Sequence, residues 1–204
     1  MNDEQELLDS IRLYLPKYLT PEQARDLWSG LADFPKNTDY YWFDSGLNDE
    51  ILQGDGWRGF VVRDFFSGDK RAVSGVVLSN SCDVAPENET NTPAHIVFAP
   101  LISVSKFEDL LRGRGKTLQQ VASLLTDVRQ QRLTNIFYLP AYSDVIKESM
   151  ILLDDVHVHP ATDFRGCDRN ALFKLNQYAF YLFLMKLSIH FSRFNEKVLR
   201  FRAA

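Results

Sequence analysis

Cysteine is almost absent from this chain of 204 residues: Cys82 and Cys167 are the only two. Two thiols do not make a disulfide framework, so a small secreted scaffold held by bridges is excluded. Long apolar runs are missing as well. The longest, residues 178–185, falls far short of the roughly 18 residues that a membrane-spanning helix needs. The opening MNDEQELLDS has no basic stretch leading into an apolar one, so no signal peptide is expected. A cytoplasmic protein with no membrane contact follows as the expectation. No Cys-x-x-Cys or His-x-x-x-His spacing occurs, and neither a metal nor another cofactor is expected. The string GRGKT fails as a phosphate loop, because the glycine that pattern needs at position 110 is Leu110.

What is present is core-forming material. The chain is 45% hydrophobic and carries 15 Phe, which excludes a disordered chain. The net charge of -4 is unevenly spread. Residues 1–55 hold four basic against twelve acidic side chains, and residues 165–204 hold eight basic against two acidic. An acidic segment folded against a basic one accounts for this, as does a basic surface offered to nucleic acid.

Apolar spacing predicts a helix over 4–15, ended by Pro16, and a second from Thr20-Pro21 to about residue 32. These form a helical cap, 1–33. The cluster Tyr40-Tyr41-Trp42-Phe43 reads as core or a short edge strand, with base stacking as the alternative. Strands follow at 59–66, 73–79 and 95–102, separated by turn-rich stretches. Residues 104–133 return to helical spacing, with Thr117 and Gln120 as a capping box. Further strands are predicted at 135–139 and 150–157, then a long helix over 168–200. The whole is expected to be a single α+β domain, with barrel strands in 51–103 and 135–164 and a helical insertion at 104–133.

Several residues invite chemistry. Cys82 sits in VVLSNSCDV beside Asp83, with His95 opening the next strand. A thiol becomes nucleophilic only beside a base or cation, and the neighbouring Asp83 works against that. The competing reading is a buried cysteine closing a strand, with Asn80 and Asp83 bonding turn amides. His157 and His159 alternate along one strand and read as packing residues. Asp154-Asp155 face opposite sides and read as a turn or edge device.

The strand block resembles the MazF/PemK toxin family. The resemblance rests on Gly54-Asp55, the strand to Phe65, the turn at 67–70, VVLSNS, IVFAPLIS, and the later SMILLDDVHVHPATDF. It implies a small SH3-like barrel with an N-terminal helical hairpin, inserted helices and a long C-terminal helix. It also implies a homodimeric, metal-independent ribonuclease in a toxin–antitoxin setting, with RNA and an inhibitory protein as partners. The family's arginine position falls on Val73, so Arg71, about 7 Å along the same face, is the candidate in its place. Its hydroxyl position falls on Ile102, beside Ser103. The expected catalytic set is therefore Arg71 with Ser103, helped by Ser79 and Asn80. A non-catalytic interaction module on the same barrel is the alternative, and thiol chemistry at Cys82 a second. LSNSCDV and HFSRF are also similar to a group of bacterial proteins with an S-x-S-C-D-I stretch, which implies no mechanism.

Overall fold

The computed structural model of the chain describes residues 20–43, 49–88, 93–142 and 146–192. The first expected helix, 4–15, lies outside them. Helix α1 spans Pro21–Ala32 and is followed by the two-residue strand β1, Tyr41–Trp42. Strands β2, Gly56–Arg63, and β3, Lys70–Val77, form a hairpin. A short helix α2, Ser81–Val84, and a 3-10 turn, Pro86–Asn88, lead to β4, His95–Ser103. Helices α3, Val104–Gly113, and α4, Leu118–Arg129, are the expected insertion. The Thr117–Gln120 capping box forms, each side chain accepting from the other residue's amide. Then come β5, Ile136–Leu139, β6, Ser149–Leu152, β7, His157–Pro160, α5, Ala161–Gly166, β8, Asn170–Leu175, and α6, Gln177–Ser192.

All strand pairs are antiparallel, in the order β1-β8-β2-β3-β4-β6-β5, with β7 also pairing β4. One edge of β4 is shared: β7 takes His95–Phe98 and β6 takes Leu101–Ser103. That division curls the sheet into a half-barrel. Gly59 assists, since the β2–β3 register slips between Arg58 and Phe60, and its φ of 109° suits glycine. An added Cβ there would also meet the Arg169 backbone at 3.2 Å.

Alternation along β3 and β4 sorts side chains to two faces. Val73 and Val77 of β3, with Ile96 and Phe98 of β4, enter one cluster with Trp57, Phe60 and Phe164. There Phe60 stacks between Phe98 at 4.0 Å and Phe164 at 4.2 Å. Val76, Ala99 and Leu101 enter the other cluster, under α6 with Tyr178, Leu182 and Phe183. We call these the barrel side and the helix side. A third cluster packs α3 and α4 onto β5 and β6 through Leu111, Val121, Leu125 and Met150.

Two elements depart from the sequence expectation. The segment 150–157 is not one strand, because a turn bonding the Asp155 amide to the Leu152 carbonyl separates β6 from β7. The helix expected from residue 168 begins only at Gln177, and β8 precedes it, pairing with β2 and β1. Asn176 sets that boundary: its Oδ1 accepts from the Ala179 amide at 3.0 Å, as a helix cap does. The part of the expected helix beyond residue 192 lies outside the described residues. The aromatic cluster splits: Tyr40 and Tyr41 are buried, whereas Trp42 and Phe43 are exposed.

Candidate functional site

Gly54-Asp55 acts in the fold. The Asp55 carboxylate accepts from Lys174 Nζ at 2.6 Å, both side chains being buried, and Lys174 also donates to the Glu50 carbonyl. Burial pushes the Asp55 carboxyl up to about 6, against the pull of Lys174. This pair joins β8 to the entry of β2.

The stretch VVLSNSCDV leaves its strand earlier than its apolar run suggests. Ser79 Oγ accepts from the Val97 amide at 2.7 Å and contacts the His95 carbonyl, which ties the end of β3 to β4. Asn80 Oδ1 accepts from the Cys82 amide at 2.9 Å and caps α2. Cys82 is therefore the exposed start of a short helix, not a buried strand end. Its carbonyl accepts from Asn88 Nδ2, and Asp83 is likewise exposed. His95 turns its Nδ1 to the Pro93 carbonyl, 3.0 Å away, so its hydrogen bond stays within its own loop. Sequence reasoning passed over Ser81, whose Oγ accepts from the Gln53 amide at 2.9 Å.

Arg71 and Ser103 do not meet. Register pairs Gly75 with Pro100 and Val76 with Ala99. Counting by twos puts Arg71 on the face of Gly75 and Pro100, the barrel side. Ser103 falls on the face of Ala99 and Val76, the helix side. Ser103 also caps α3, its Oγ accepting from the Lys106 amide at 3.3 Å. The sheet stands between the two expected partners.

Each instead lines its own cleft. A cleft of about 430 Å³ beside the β2–β3 hairpin is lined by Arg63, Arg71, Asp64, Asp69, Asp155 and His157. His157 Nε2 lies 3.0 Å from Asp155 Oδ1, and its ring stacks on Phe98 at 5.6 Å. The β6–β7 turn supplies Asp155 and β7 supplies His157, so an i,i+2 spacing across a turn and strand start forms the pair. Two of the cleft's three carboxylates are already engaged. Asp155 faces His157, and the Ser67 and Phe66 amides hold the exposed Asp64 carboxyl below its usual range. This hairpin cleft can hold an anion with its arginines and move a proton with its imidazole.

The second cleft, about 240 Å³, is lined by Arg58, Ser74, Ser103, Lys106, Lys147 and Ser149. Among the described residues no carboxylate lines it. Arg58 and Ser74 are register partners across β2–β3, which brings them to the helix side beside Ser103.

No protein-family model matches the chain, and no curated protein matches it. Among the described residues no helix is long and apolar enough to cross a membrane. No three His, Cys, Asp or Glu side chains gather there as a metal site either.

Proposed function

We propose that the protein is a divergent MazF/PemK-like ribonuclease that binds RNA and cleaves it without metal in the hairpin cleft. One observation carries this reading: Arg71 shares that cleft with the His157–Asp155 pair. Asp155 accepts from His157 Nε2–H, which fixes the tautomer and leaves Nδ1 as the basic nitrogen. In the proposed step His157 takes the proton of a ribose 2′-hydroxyl, and the freed oxygen attacks the adjacent phosphorus. The bond to the 5′-oxygen breaks, that oxygen takes a proton from water, and a 2′,3′-cyclic phosphate is left. Arg71, with Arg63, stabilises the charge that builds on the phosphorane. His157 thus takes the place that the family resemblance gave to Ser103.

Purified protein incubated with single-stranded RNA and a chelator is expected to give fragments with cyclic phosphate ends. Arg71→Ala and His157→Ala are each expected to slow cleavage on the order of 100-fold with the fold retained. Intact RNA with the wild-type protein would overturn the proposal.

A second reading draws on the hairpin tip, where Phe65 and Phe66 are 99% and 101% exposed. Adjacent bare aromatics beside the cleft fit the surface that an inhibitory protein partner would cover. A partner that blocks cleavage by wild-type protein but not by Phe65→Ala/Phe66→Ala supports it. Equal inhibition of both sinks it.

A further inference from the structure

We infer that the helix-side cleft is a binding site for a small phosphomonoester, separate from the hairpin cleft. Three cations, Arg58, Lys106 and Lys147, converge on about 240 Å³ of space. Among the described residues none of the three has an ion-pair partner. Four exposed arginines elsewhere do have such partners: Arg25 with Glu22, Arg112 with Glu108, Arg129 with Glu148 and Arg132 with Asp127. Three like charges held together repel one another, and a bound anion relieves that repulsion.

The charge and the size of the site narrow the ligand. A phosphomonoester carries about -1.5 to -2 at neutral pH, a better match for three cations than the single charge of a diester. Hydroxyls of Ser74 and Ser103 stand at the same cleft, where Ser103 Oγ accepts from the Lys106 amide and lies 3.2 Å from Ser105 Oγ, either of the two being able to donate. Helix α3 starts there with no acidic residue in its first turn, so its positive end adds to the field. Leu101, Leu172 and Phe173 form an apolar wall on which the organic part of the ligand rests. The volume lies below the usual range of roughly 300–1,000 Å³ for drug-sized ligands. A sugar phosphate is the size that fits.

The hairpin cleft makes a contrast, since three carboxylates line it along with its arginines. The two sites are therefore separable by mutation. Thermal denaturation and calorimetry would be run with inorganic phosphate, with ribose 5-phosphate, and with sodium chloride at matched ionic strength. Both phosphates are expected to raise Tm above the chloride control, with ribose 5-phosphate binding at least as tightly as inorganic phosphate. Lys106→Ala/Lys147→Ala, which changes two exposed side chains, is expected to weaken binding at least tenfold. Arg71→Ala is expected to bind as wild type does. A shift no larger than that from chloride, or one that survives the double substitution, would overturn the site. Ribose 5-phosphate binding more weakly than inorganic phosphate would overturn the role of the apolar wall. None of these readouts requires RNA cleavage, so the two proposals fail independently.

Discussion

The two clefts are built from the same strands and differ in almost everything else. On the barrel side, arginines are interleaved with aspartates and one imidazole is oriented by a carboxylate. On the helix side, three cations line a cleft with no carboxylate among the described residues. The first arrangement suits moving a proton next to an anion, and the second suits only holding one. A single property of β-structure produces the contrast. Alternate residues of β3 and β4 face opposite ways, so Arg71 and Ser74, three positions apart, serve different chemistry.

The comparison is broken most severely at Gly75, where both faces depend on a close β3–β4 approach. A Cβ there would lie 2.7 Å from the Phe98 ring and 3.0 Å from the Ala99 carbonyl. Gly75→Ala is expected to cost about 3 kcal/mol, the upper range for overpacking a filled core, by urea denaturation. Gly113→Ala, with nothing within 4 Å of the added Cβ, is the control and is expected to leave stability intact.

Buried charges divide across the same sheet and give two pH windows. On the barrel side Asp55 holds its proton up to about 6, above the unfolded value of 3.8. The folded state therefore binds more protons between those values, and stability falls as pH rises through that window. Asp55→Asn is expected to flatten the slope. On the helix side Lys186 is buried and donates to the Gln131 and Leu133 carbonyls, with no carboxylate among these partners. Desolvation lowers it to about 8 from 10.5, so the unfolded state binds more protons between these values. Stability from this group rises with pH across that range, and Lys186→Met is expected to remove the rise.

Smaller effects sharpen the contrast. Ser103→Ala removes the cap of α3 and is expected to cost about 1 kcal/mol in denaturant. Cys82→Ser changes an exposed residue whose hydrogen bonds run through its backbone. It is expected to stay within about 0.5 kcal/mol of wild type and to leave RNA cleavage unchanged.

Local signals in the sequence read well where chemistry and geometry coincide within a few residues. The Thr117–Gln120 box, the strand ending at Val77 and the helical insertion all formed as local rules require. Asn176 carried a cap signal, but apolar residues on both sides of it mask the change from β8 to α6. SNSCD carried one as well: Asn80 caps a helix, so Cys82 faces solvent in spite of the general tendency of cysteine to be buried. The separation of Arg71 from Ser103 was a different problem. It depends on which β3 residue stands opposite which β4 residue, and one chain alone does not carry that register. In the sequence Asp155 reads as part of a turn device and His157 as a packing residue; the turn that aims the carboxylate at the ring appears only in the structure.

The central claim is that phosphodiester chemistry belongs to the barrel side alone. Cleavage of one single-stranded RNA by wild type, Arg71→Ala and Ser103→Ala, with folding checked by circular dichroism, tests it most directly. The account predicts that Arg71→Ala loses activity on the order of 100-fold while Ser103→Ala keeps the wild-type rate. Equal losses in the two variants would contradict it, because a sheet cannot separate residues that act on one phosphate.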